Sequence, residues 1–322
     1  MSGMNILICG LYFSGSTAVK DLLSEYSSIT VIPGEFDDFR RTGLIGDHVS
    51  GLICDDYPSR VKILTKNCMD SSFLYSSHGV KAIIKNKIRY RFLKSGLGRF
   101  TPVWVQARRK RMLLADNLES CLSGASDTNK SCKLANSWIR EVKKIYSRSS
   151  QFYIFDKPIF LGQHSDIWPE VFDPCKLIVV IRDPRDQIAV IISHKSLFKD
   201  YLTPTEGVIG KYGRGREAAI KYHLDMSLSR LKSAMKLQED LGDKKVLIIR
   251  FEDIVKNTDR VQSLIEGFLG LKLSDEDHRN ELFKPEESLK NIGIYNKFLN
   301  PLHLPLFNDY LKFLNKNFPE FK

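Results

Sequence analysis

The sequence lacks any apolar run near the roughly 18 residues that a membrane-spanning helix needs. Cysteine is sparse and scattered: Cys9, Cys54, Cys68, Cys121, Cys132 and Cys175 form no C-x-x-C pair and no metal-ligand spacing. A disulfide-stapled scaffold and a zinc module are therefore not expected, and the thiols read as those of a reduced, cytoplasmic protein. No basic segment precedes Ile6–Cys9, and that apolar stretch is too short for a signal peptide. Internal repeats and low-complexity tracts are missing as well. What remains is 322 residues at 43% hydrophobic and 27% charged, a composition that builds a sizeable core and excludes a disordered or collagen-like chain.

Charge of one sign is missing from a long segment. No acidic residue occurs between Ser71 and Ala115, while Lys81, Lys85, Lys87, Arg89, Arg91, Lys94, Arg99, Arg108, Arg109, Lys110 and Arg111 all fall there. These eleven account for the whole net charge of +11, since the other 38 basic residues balance the 38 acidic ones. A one-sign block interleaved with Ile, Tyr, Phe, Val and Trp104 suits an anionic partner: a nucleic acid, an anionic lipid surface or an acidic glycan. A solvated basic face without a partner is the bland alternative.

Regular signals flank this block. Asn5–Cys9 reads as a buried strand entering a turn at Gly10, and Ser16–Tyr26 as a helix with Ala18, Val19, Leu22 and Leu23 on one face. Ile29–Ile32 reads as a second strand stopped by Pro33-Gly34. Residues 40–150 have weak periodicity and form a cap or insertion, mostly helical, carrying the basic block 81–111. Strands are expected again at Phe152–Phe155, Lys176–Ile181 and Lys245–Arg250, and helices at Ile188–Ser196, Ala218–Gln238 and Val261–Leu269. Alternating strands and helices predict one α/β domain over 1–322. It would be a three-layer α/β/α arrangement, P-loop-like, around a central parallel sheet.

Two loops carry chemistry. Residues 10–17 read Gly-Leu-Tyr-Phe-Ser-Gly-Ser-Thr between a strand and a helix, the arrangement whose backbone N–H groups and helix N-terminus bind phosphate. A nucleotide hydrolase needs Lys where Ser16 stands, and no acid directly ends KLIVVI to hold magnesium, so no metal is expected. Arg182, after the strand Lys176–Ile181, brings a planar five-donor fork to the same strand ends. Two phosphate sites without a metal-binding acid suggest a nucleotide phosphorylated at two places.

These residues resemble the sulfotransferase superfamily, whose donor is 3′-phosphoadenosine 5′-phosphosulfate (PAPS). The resemblance makes Phe13, Ser14, Gly15, Ser16 and Thr17 the loop for the 5′-phosphosulfate and Arg182, opening R-D-P-R-D, the ligand of the 3′-phosphate. Phe152–Pro158 is similar to the family's K-x-P or K-D-P segment, Val246–Val255 with Phe268–Leu271 to its YEDL…FLGL stretch. Gly293 and Tyr295 lie where the family has a glycine-containing loop over the nucleotide. The likeness is nearest to the tyrosylprotein and glycan branches. It implies Glu35, after Gly34, as catalytic base and Lys157 as the cation beside the leaving oxygen, with Asp37, Asp38 and His48 as substitute bases. Two positions depart from the pattern. Phe13 replaces a Lys or Arg, so Lys157 or Lys20 must supply that charge; Val190 replaces the 3′-phosphate Ser, leaving Ser193, with His194 or Lys195, as the substitute. Glu252 and Asp253 are expected to order backbone, and Asp275-Glu276-Asp277 to be a polar helical stretch.

The resulting expectation is sulfuryl transfer from PAPS to a hydroxyl of a glycan, glycolipid or other polar acceptor. The basic block would hold an anionic acceptor or touch a membrane surface, and nucleic acid is disfavoured. An atypical P-loop kinase or nucleotide-binding protein is the first alternative, a non-catalytic binding module on the same fold the second.

Overall fold

Continuous β-branched and aliphatic runs become the central strands of the computed structural model. It describes residues 3–11, 13–40, 45–50, 128–146, 150–193, 211–213, 215–271 and 282–318, with single positions between 110 and 121. The elements begin with β1 (Met4–Gly10), α1 (Ser16–Leu23), β2 (Ile29–Glu35), α2 (Asp37–Arg40) and α3 (Ile45–Val49). Next come α4 (Thr128–Tyr146), β3 (Phe152–Asp156), α5 (Trp168–Val171), β4 (Cys175–Ile181), α6 (Pro184–Ser193), α7 (Arg216–Leu241) and β5 (Val246–Arg250). The chain closes with α8 (Phe251–Lys256), α9 (Thr258–Leu269), α10 (Pro285–Leu289), α11 (Tyr295–Phe298), a 3₁₀ segment Pro301–Phe307 and α12 (Asn308–Asn317). The sheet is five-stranded in the order β2-β3-β1-β4-β5, with β1·β3 and β2·β3 parallel, and helices flank it. This is the α/β arrangement the sequence predicts. The basic block, apart from Lys110, lies outside the described residues.

One boundary differs instructively. Pro33-Gly34 does not end the second strand, which runs on to Glu35. β2 is an edge strand, where a proline without an N–H is tolerated, and its register against β3 shifts between Val31 and Glu35. Gly34 takes a positive φ of 78° there, and Glu35 re-enters the ladder opposite Asp156. Two helices also differ: α1 stops at Leu23 rather than Tyr26, and α6 starts four residues early, with Pro184 preset for its first turn.

Contacts divide the chain into two compact units, one of residues 1–9 and 26–177, the other of 10–25 and 178–322. The core of the first is aromatic: Phe36 packs edge-on to Phe155 at 4.8 Å, and Phe39 and Phe155 both meet Phe172 edge-on. Amphipathic α4 closes this core with Ala135, Trp138, Ile139 and Val142. In the second unit α7 buries Leu224, Leu231 and Leu237. The buried Glu25 carboxylate there accepts the N–H groups of Leu282 (3.0 Å) and Phe283 (2.9 Å), fixing the start of the C-terminal segment.

Lys143 on α4 is buried, and among the described residues no acid pairs with it. Its ammonium donates to Gly3 O (2.7 Å) and Asn5 Oδ1 (2.9 Å) and lies over the Tyr153 ring. Burial, with Arg140 adding repulsion, pushes its pKa down to about 8. Between that value and the ordinary lysine range the unfolded chain binds the extra proton, so this group's contribution to stability rises with pH and is lost as pH falls through 8. Denaturant unfolding of wild type and Lys143→Met checks this: the difference between the two curves should grow by about 2 kcal/mol from pH 8 to 10.5. A pH-independent difference would contradict it.

Candidate functional site

Two polar clusters, one in each unit, hold most of the residues singled out by sequence, and each follows the C-terminal end of a strand.

In the second unit the loop between β1 and α1 is shaped by two glycines that admit no side chain. A Cβ on Gly10 would sit 2.0 Å from Ser14 Oγ, and one on Gly15 would sit 2.2 Å from the Phe251 ring. Gly15 is also left-handed (φ 82°) and immediately precedes α1, whose first turn contains no acid and no side-chain cap. The N-terminal amides of that helix therefore keep their affinity for an anion. Ser14 and Ser16 are buried and Thr17 is exposed. Phe13 adopts a positive φ of 48°, and Gln187 holds the loop by donating to Leu11 O at 2.6 Å.

Arg182 anchors this cradle. Its guanidinium is 4% exposed and stacks on Phe251, 4.7 Å from the ring centroid. Nη1 donates to Phe13 O (3.1 Å), Nη2 to Asn291 O, and Nε has no acceptor. Burial pulls the Arg182 pKa below the usual arginine value, opposed by the charges of Asp186, Glu252 and Asp183. Those acids also fix backbone. Glu252 Oε1 accepts Asp183 N–H at 2.9 Å, the ordering role expected for it, and burial raises its pKa. Asp183 accepts the Nε and Nη2 donors of Arg185. Asp186 accepts the N–H groups of Gly293 (2.8 Å) and Tyr295 (3.1 Å), and burial raises its pKa too. The Arg185 guanidinium lies 4.3 Å from the centre of the Tyr295 ring. Gly293 and Tyr295 are thus tied to the R-D-P-R-D turn. Ser193 is placed otherwise: its hydroxyl donates back to Val190 O at 2.8 Å within α6. His194 and Lys195 lie outside the described residues, as does Asp275-Glu276-Asp277.

In the first unit Glu35 and Lys157 meet. Lys157 follows β3 with a positive φ of 50°, its N–H donates to Ile8 O, and its Nζ donates to Glu35 Oε1 at 2.6 Å. The other carboxylate oxygen accepts from Arg40, whose guanidinium lies over Phe160. Beside them His164 Nε2 pairs with Asp47 at 2.9 Å, the imidazole edge-on to Phe39. The side chains of Asp37, Asp38 and His48 lie outside the described residues. Sequence reasoning missed Arg40, Asp186, Asn291 and the His164–Asp47 pair. Only Asp186 carried a local signal, as the last residue of R-D-P-R-D.

A strand, a glycine- and hydroxyl-rich loop, a helix and a buried arginine after another strand define a P-loop-like α/β protein. Residues 5–275 match the model of the sulfotransferase family, and the chain belongs to that family. The solved structures it is similar to include the sulfotransferase domain of the Synechococcus PCC 7002 olefin synthase, at 16% identity. That match covers 96% of this chain and 94% of the other, with a TM-score of 0.48. The sulfotransferase domain from the curacin biosynthetic pathway is 14% identical, with 97% and 98% coverage and a TM-score of 0.47. The sulfotransferase of Alicyclobacillus acidocaldarius is 11% identical, with 97% coverage of both chains and a TM-score of 0.43. Comparison with curated proteins gives no match. Among the described residues no helix is long and apolar enough to cross a membrane, and no group of three His, Cys, Asp or Glu could hold a metal ion.

The Asp186 contacts are testable. Asp186→Ala leaves two amides without an acceptor, and hydrogen exchange at Gly293 and Tyr295 should accelerate by about tenfold or more, the weight of a hydrogen bond to a charged group. Unchanged exchange at both amides would show that Asp186 does not hold this segment.

Proposed function

We propose that this sulfotransferase uses PAPS and delivers the sulfuryl group to a hydroxyl of a glycan, glycolipid or other polar acceptor. The observation that carries the donor assignment is the buried Arg182 guanidinium, its Nε without an acceptor, beside a loop where neither Gly10 nor Gly15 admits a Cβ. A two-phosphate nucleotide needs a close-approach backbone cradle and a fixed cation, and the chain offers both. Phe13–Thr17 would take the 5′-phosphosulfate, with Arg182 the 3′-phosphate and Gly293 and Tyr295 the covering segment. Ser193 would join them only after its hydroxyl turns away from Val190 O.

In the transfer the acceptor oxygen bonds to sulfur, the bond from sulfur to the bridging phosphate oxygen breaks, and 3′-phosphoadenosine 5′-phosphate departs. Glu35 takes the acceptor's proton, and Lys157 offsets the charge gathering on the bridging oxygen. Lys157 Nζ and Glu35 Oε1 pair at 2.6 Å, so the two groups would part for each to take its role. Lys157 or Lys20 would supply the charge absent at Phe13. The bisphosphate leaves as a stable anion, which makes the step workable without a metal. Block 81–111 would receive an anionic acceptor or rest against a membrane surface, consistent with a cytoplasmic enzyme at its periphery.

Purified protein given PAPS and a panel of hydroxylated acceptors should release 3′-phosphoadenosine 5′-phosphate. Glu35→Ala should lower turnover about 100-fold or more, the scale of general-base catalysis, with donor affinity kept. No release with any acceptor would favour the non-catalytic module, and full activity in Glu35→Ala would remove Glu35 from the chemistry.

A further inference from the structure

The Glu35 carboxylate is held from two sides by unequal partners. Lys157 takes Oε1 and Arg40 takes Oε2, each through its own element: the turn after β3 and the end of α2. The lysine side chain is 29% exposed and the arginine 10%. Arg40 is further fixed by the Phe160 ring, 5.1 Å from its guanidinium carbon. A guanidinium is planar, stays charged at any working pH and loses little freedom per hydrogen bond, whereas an ammonium on a flexible stem swings readily. The pair therefore divides into a fixed cation and a movable one.

We propose that Arg40 is a positioning residue for Glu35, keeping the carboxylate ionised and oriented through Oε2 when Lys157 leaves Oε1. The inference rests on the reading of Glu35 as base. The backbone supports it. Phe36 N–H donates to Asp156 O at 2.7 Å and Glu35 lies opposite Asp156 in the ladder, so the main chain under the carboxylate is anchored. With the backbone set, the remaining freedom is rotation of the Glu35 side chain, which Arg40 takes up. Five residues separate Glu35 from Arg40, and the intervening one-turn helix α2 brings the guanidinium back over the strand end. Among the described side chains, the titratable and charged groups on the surrounding elements are Lys157 and Asp156 from β3 and its turn, Arg40 from α2, and the His164–Asp47 pair, which joins the turn after β3 to α3. Lys157 and Arg40 each donate to the carboxylate. Losing Arg40 removes one stabilising positive charge, so the carboxyl must bind its proton at higher pH.

Two readouts test this in full-length protein, one independent of activity. The first is the carbon-13 titration of the Glu35 carboxyl; the second is the acidic limb of the kcat/KM pH profile with PAPS. In Arg40→Met both should move up by about 1 pH unit, with kcat reduced and KM for the donor within about twofold, while Arg40→Lys restores the midpoint. Melting curves verify the fold, and Arg40→Gln carries the same measurements should the Met variant not fold. An unmoved carboxyl midpoint in a folded variant overturns the proposal. So does a moved midpoint with an unmoved kinetic limb. A moved midpoint in a protein that never turns over PAPS supports the Arg40–Glu35 coupling but refutes the base role that gives it meaning.

Discussion

A guanidinium taken out of water must find acceptors and counter-charge, and Arg182 organises its unit by recruiting both. Two of its donors engage backbone carbonyls far apart in sequence, Phe13 O in the first loop and Asn291 O near the C-terminal end. Its charge is balanced by Asp183, Asp186 and Glu252, none of which is left idle: each accepts a backbone or arginine N–H that shapes a neighbouring turn. Removing one partner of a buried charge leaves the others uncompensated, which costs about 3–5 kcal/mol. The loop, the R-D-P-R-D turn and the segment 291–295 are thus held as one set.

Carbonyls of the chain, Phe13 O and Asn291 O, occupy two of the Arg182 donors. The same N–H and guanidinium groups are thereby preorganised in a water-poor setting, where charge–dipole interactions are strongest. The Glu35 cluster follows similar logic with the signs reversed. One carboxylate accepts from two cations, Lys157 and Arg40.

What was legible in the sequence was local. Strands showed because apolar runs such as Lys176–Ile181 are continuous, and the first loop because its glycines and hydroxyls are adjacent in the chain. Arg182 stood out by closing the strongest strand. The Asp186–Gly293 contact spans 107 positions, and Asn291 acts through a carbonyl that every residue possesses, so neither leaves a pattern to read. Arg40 was hidden because α2 is a single turn with no periodicity, and β2 ran on past Pro33 because only the sheet order reveals an edge strand. Ser193, the substitute one turn beyond Val190, bonds back to its own helical turn, as a helical serine hydroxyl readily does.

The central claim is that a nucleotide bearing both a 3′- and a 5′-phosphate is the natural occupant of the Arg182 cradle. Calorimetric titration of 3′-phosphoadenosine 5′-phosphate against 5′-AMP, ADP and ATP, with and without magnesium, addresses it most directly. The account predicts tight binding that requires the 3′-phosphate, ignores magnesium and weakens selectively in Arg182→Ala. Equal affinity for nucleotides lacking the 3′-phosphate, or binding of ATP that depends on magnesium, would contradict it.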